Sequence, residues 1–66
     1  MSDMIIETLR EAIGKNISFR ELNNFYFEGL LLDVDDSYFK YKDRKSGIRI
    51  VAISQIKEFD ILEVLK

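Results

Sequence analysis

The stretch Phe25 to Tyr41, FYFEGLLLDVDDSYFKY, sets the strongest constraint on what this chain can fold into. Apolar and aromatic side chains fill it, Gly29 interrupts the run, and Asp33, Asp35 and Asp36 close it before a second aromatic run begins. A glycine inside a strand marks a bend or a close approach of another backbone. Clustered aspartates suit a turn, because Asp hydrogen-bonds its own backbone and tolerates unusual dihedrals. The pattern predicts a long strand, an acidic turn and a second strand, with Gly29 supplying a bend.

The flanking sequence extends this arm in both directions. Residues 2–13 read as a helix, with Ser2 as N-cap, acidic residues near the positive end of the dipole and Gly14 as the stop. Ile5, Leu9, Ala12 and Ile13 recur on one face of it. Asn16 to Leu22 alternates as a half-buried strand, with Ile17 and Phe19 against Ser18 and Arg20. Asn23-Asn24 is a turn. Phe25 to Val34 follows, with Phe25, Phe27, Gly29 and Leu31 on one face and Tyr26, Glu28, Leu30 and Leu32 on the other, so both faces are partly apolar. In the next strand, 37–43, Phe39 and Tyr41 point inward while Tyr38, Lys40 and Lys42 point outward. Arg44 to Gly47 makes a hairpin turn, 48–53 a β-branched strand, Ser54 to Ile56 one tight helical turn, and 57–62 a fifth strand. One N-terminal helix followed by five short antiparallel strands is the layout of a small, strongly bent SH3-like barrel. It forms one domain over 1–66, the helix at 2–13 and the barrel at 16–62.

Size then bears on how such a barrel is stabilised. A chain of 66 residues buries only about 60% of the surface its unfolded form exposes, and small scaffolds lean on a disulfide, a metal or a partner. There is no Cys and no His, so disulfides and the usual zinc ligands are excluded. Association with further copies is the remaining staple. The last two strands carry Ile48, Ile50, Val51, Phe59, Ile61 and Leu62, and no segment is left over to cover their edges. Uncovered apolar edges invite pairing with another copy. Pairing of one copy's fourth strand with the next copy's fifth is head-to-tail, which closes into a ring when the rotation permits.

The residues argue against catalysis. Without His or Cys the common triads and thiol nucleophiles are absent, and Gly14, Gly29 and Gly47 lie too far apart to cradle a phosphate. Asp33, Asp35 and Asp36 lack the glycine and distal glutamate of a calcium loop, and a solvated turn accounts for them. The expectation is a non-enzyme with no metal, no cofactor and no small-molecule substrate. No signal peptide is visible and no apolar run approaches the roughly 20 residues of a membrane span, so the reading is a soluble, cytoplasmic protein without a membrane partner.

Net charge is −2, yet it is unevenly placed. Residues 28–36 hold four acids and no base, whereas 40–49 hold Lys40, Lys42, Arg44, Lys45 and Arg49 against Asp43 alone. A local basic hairpin can attract phosphates on an acidic protein. Single-strand binding combines aromatic platforms with bases that follow the phosphate chain. Tyr38, Lys40 and Lys42, with Arg49 on the adjacent strand, are the candidate set.

Gly29-Leu30-Leu31 in the bent strand, Val34-Asp35-Asp36 closing it, the apolar third strand around Phe39, and Ile53-Ser54-Gln55-Ile56 before the last strand together resemble the Sm-like (LSm/Hfq-type) family of RNA-binding barrels. The resemblance covers essentially the whole chain. It implies a homo-oligomeric ring, usually of roughly six or seven subunits, with single-stranded U- or A-rich RNA bound around the pore. At the family's base-reading positions this chain differs. Lys40 stands where the Sm signature has Asn, Ala52-Ile53 where it has Arg-Gly, and Ile50-Val51 where Hfq has Lys-His. The same barrel as a protein-interaction or scaffold module, without RNA, is the alternative.

Overall fold

The computed structural model describes residues 3–62. It contains a helix α1 (Asp3–Glu11) and five strands, β1 (Asn16–Glu21), β2 (Tyr26–Val34), β3 (Tyr38–Asp43), β4 (Gly47–Ala52) and β5 (Ile56–Leu62), with a single 3-10 turn at Ile53–Gln55 before β5. The expected Ser2 cap and the short tail after Leu62 lie outside the described residues. The remaining elements form where their patterns place them, to within two residues at each end. Asn24 takes a positive φ of 73° in the β1–β2 turn, as its side chain permits. Among the described residues no helix is long and apolar enough to cross a membrane.

All strands join one antiparallel sheet in the order β4-β3-β2-β1-β5. The expected closed barrel is not formed within the chain. β4 and β5 lie at opposite edges of the sheet and do not pair with each other. The sheet is nevertheless curled. Four gaps in a flat sheet would separate its edge strands by about 19 Å. Ala52 and Ile56, which end β4 and begin β5, are four residues apart and span at most about 15 Å. Hydrogen bonds pin the curl at that end. Ile53 N–H donates to Ser37 O at 2.8 Å, and Leu22 N–H donates to Gln55 O at 2.9 Å. The 3-10 turn thus ties the start of β3 to the end of β1.

Gly29, expected at a bend or a close approach, sits at a close approach of two strands. Gly29 lies within regular pairing, opposite Ile17 on one side and Asp43 on the other. It permits a close approach: a Cβ there would meet a Tyr41 ring carbon at 2.5 Å and the Lys42 carbonyl oxygen closer still. The irregularities lie elsewhere. β2 shifts register against β3 between Leu31 and Asp33, and the β1–β5 pairing shifts at Arg20/Glu21. Bulges bend a strand and increase its twist. The β2 bulge also changes parity, so that Asp33 pairs with Lys40 while Val34 pairs with the buried Phe39.

The core lies on one face of the sheet, under α1. Phe19 is its hub, stacked on Phe27 at 5.4 Å and edge-on to Phe39 and Tyr41 at 5.2 Å each. Edge-to-face pairs of this kind add to the burial of the rings themselves. Leu9 and Ala12 of the helix segment are fully buried, with Ile5 and Ile6 packed beside them. Ile13, expected on the same face, is exposed because α1 stops at Glu11. Phe25 is likewise exposed, since β2 begins after it.

A candidate nucleic-acid face on β3

The register sorts the predicted binding residues. Tyr38, Lys40 and Lys42 pair with Ala52, Ile50 and Ile48 on the face away from the core. All three are exposed. Arg49 pairs with the buried Tyr41, so it belongs to the core-facing side. There its guanidinium carbon lies 5.8 Å from the centroid of the Phe27 ring. The structure brings Tyr38, Lys40 and Lys42 into one row and separates Arg49 from them. The division depends on the hairpin register, in which Asp43 pairs with Gly47 across a three-residue loop and so sets the parity of β4.

The residues predicted at the oligomer interface divide in the same way. Ile48, Ile50 and Leu62 lie on the outer face, opposite Lys42, Lys40 and Asn16. Val51, Phe59 and Ile61 face inward, opposite Phe39, Phe19 and Ile17, and pack half-buried against the core. Ile48 and Ile50 remain 63% and 67% exposed, an apolar stripe on β4 alongside the two lysines of β3.

The acidic turn positions Tyr38. Asp35 Oδ1 accepts the N–H of Ser37 at 2.8 Å and of Tyr38 at 2.7 Å, and Asp35 N–H donates to Tyr38 O at 2.9 Å. The Tyr38 amide, then the Ser37 amide, hold the Asp35 carboxyl below the ordinary range, with a smaller contribution from Arg10. Asp33 accepts from its neighbour's amide, Val34 N–H, at 2.9 Å. Arg10 of α1 donates directly to Asp36 Oδ1 at 3.4 Å, with both side chains exposed. Asp33 and Asp35 thus bond the backbone of the turn locally, while Asp36 reaches Arg10 on α1.

Tyr38 also separates two hollows. One, of about 510 Å³, opens between its ring, Ile5, Ser37 and the 3-10 turn at Ile53 and Ser54. The other, of about 200 Å³, lies between Tyr38, Asp33, Lys40 and Ile50. This pair of hollows was not legible in the sequence, since it depends on the 3-10 turn folding back beside the acidic turn. Among the described residues neither Lys40 nor Lys42 makes an ion pair, although Asp33 lies opposite Lys40. A half-exposed tyrosine bordering two hollows, with two cations on the same strand that make no ion pair among the described residues, suits a chain of stacked bases and phosphates.

Comparison with family models, with curated proteins and with solved structures found no significant match.

Proposed function

We propose that this chain is a non-catalytic, Sm-like module that assembles into a ring through its two sheet edges and binds single-stranded RNA along β3. The observation that carries this reading is the strand order, which leaves β4 and β5 as the two open edges of a curled sheet. Among the described residues each edge strand pairs on one side only, β4 with β3 and β5 with β1. Pairing β4 of one copy with β5 of the next satisfies both edges with a single repeated contact. It also gives the exposed Ile48 and Ile50 a partner. Tyr38 is the stacking platform, with Lys40 and Lys42 on the phosphates. Since phosphate contacts carry no sequence information, the face favours affinity over base choice.

Native mass and RNA binding test the two halves. A hexamer or heptamer supports edge pairing, and a monomer at micromolar concentration defeats it. Binding of an oligo-U or oligo-A strand should weaken steeply as salt rises. An assembled ring that binds neither at low salt overturns the RNA assignment. That outcome favours the second reading, a protein-docking module, for which the bare stripe of Ile48 and Ile50 is the supporting observation.

A further inference from the structure

A second basic site lies at the other end of β3. The last β2–β3 pair is Gly29 with Asp43. Beyond it β2 continues backward through Glu28, Phe27 and Tyr26, paired only with β1, while the β3–β4 hairpin turns away. The two diverge into a fork that encloses a cleft of about 500 Å³. Clefts of this size accommodate small organic ligands.

The charges in the fork are unequally engaged. Its acids are Asp43 and Glu28. Asp43 accepts the amides of Lys45 at 2.8 Å and Ser46 at 3.2 Å, and the Tyr41 hydroxyl at 3.0 Å. Glu28 accepts the Tyr26 hydroxyl at 2.7 Å and lies 4.0 Å from Arg44. Lys45 and Arg49 are left with no carboxylate in ion-pair range among the described residues. Arg49 Cζ lies 5.8 Å from the centroid of the Phe27 ring, which itself packs on Phe19, so its guanidinium sits at the lip of the cleft. The planar fork of N–H donors on a guanidinium matches the oxygens of a phosphate.

We propose that this fork binds a phosphate group carried by a nucleotide, either free or within a single strand, with Arg49 and Lys45 as its ligands. Its two cations are separate from the row of Tyr38, Lys40 and Lys42, because Arg49 belongs to the opposite side of the sheet and Lys45 to the hairpin turn, while Glu28 at the rim shares the outer face. Glu28, bonded to the Tyr26 hydroxyl, is the competing charge at the rim, and Asp43 is a second one within electrostatic reach of Arg49.

The test is an amide chemical-shift titration of the full chain with uridine monophosphate, uridine and an eight-nucleotide oligouridylate. Uridine monophosphate should shift the amides from Arg44 to Arg49, and uridine should not. If only the oligonucleotide shifts them, the phosphate arrives on a strand and the site stands. Arg49→Gln should weaken binding about tenfold, and Glu28→Gln should strengthen it, a gain that a damaged fold cannot produce. Lys40→Gln should leave the hairpin shifts unchanged. Silence at the hairpin with all three probes overturns the proposal. So does an equal response to uridine, a Glu28→Gln variant that binds no tighter, or loss of the hairpin shifts in Lys40→Gln. Hairpin shifts without any change at Tyr38 would defeat the RNA face on β3 and leave the fork intact.

Discussion

The turns at the two ends of β3 are built alike and surrounded differently. In each, an aspartate carboxylate accepts the backbone amides two and three residues further on: Asp35 from Ser37 and Tyr38, and Asp43 from Lys45 and Ser46. Both carboxyls are held below the ordinary range, chiefly by those amides. Around the first stand Asp33 and Asp36, with Arg10 and Lys40 beside them; around the second stand Arg44, Lys45 and Arg49, with Glu28 beside them. One local motif therefore shapes both turns, while the neighbouring charges give the two ends opposite character. Turn chemistry fixes the backbone; the side chains it leaves unengaged decide what can bind.

The largest effect belongs to the residue that seats the basic end. Gly29→Ala would force a methyl group into the Tyr41 ring and the Lys42 carbonyl. Backbone cannot give way as a flexible side chain can, so a loss of about 3 kcal/mol is expected in denaturant unfolding. Amides of the β3–β4 hairpin should lose exchange protection more than those at Asp35–Tyr38. A neutral Gly29→Ala would mean that Tyr41 does not pack on β2 as described.

Truncating the two aspartates tests the likeness directly. Asp43 carries one more bond than Asp35, from the Tyr41 hydroxyl. Asp43→Ala should therefore lower Tm more than Asp35→Ala. Both carboxyls titrate below their usual value of 3.8. Their stabilisation is complete above that value and is lost as pH falls through the depressed folded values. Each alanine variant should accordingly flatten the acid limb of the stability curve. Equal Tm losses would show that the Tyr41 bond contributes nothing.

Much of this architecture is legible from residue spacing. The alternation in 16–22, the asparagine turn, the acidic turn and the glycine at 47 each act through neighbours within a few positions. Closure is not local. Whether β4 meets β5 depends on bulges at Leu31–Asp33 and Arg20/Glu21, and apolar pattern alone does not specify a bulge when Leu31 and Leu32 are both apolar. The candidate face was half legible for the same reason. Tyr38, Lys40 and Lys42 follow from the period of one strand, whereas placing Arg49 requires the register across a hairpin.

Tyr41 distinguishes the ends by pH in the alkaline direction. Burial first, then its bond to Asp43, raises the hydroxyl from 10.0 to about 12. The folded state thus retains a proton that the unfolded chain releases, and stability falls as pH rises from 10 toward about 12. Tyr41→Phe removes that alkaline slope and costs about 1 kcal/mol at neutral pH through the lost hydrogen bond. A Tyr26→Phe, Tyr38→Phe double variant isolates the transition, since tyrosinate absorbance then reports Tyr41 alone. An ordinary titration midpoint would place the hydroxyl in water rather than against Asp43.

The smallest effect is expected at the outer face of β3, where the proposed contact is a single exposed cation. Lys40→Glu should leave native mass unchanged, because the side chain points away from the backbone edge that the proposed assembly uses. It should weaken oligouridylate binding about two- to fivefold, the scale of a solvent-exposed charge pair. The salt dependence is the sharper readout. Removing one phosphate contact to a single strand lowers the slope of log affinity against log salt by about 0.7. Arg49→Gln provides the contrast from the basic end, since it should change phosphate shifts at the hairpin and leave the Tyr38 amide untouched. If Lys40→Glu and Arg49→Gln move the same amides by the same amount, the two ends of β3 act as one charged surface and the division between them fails.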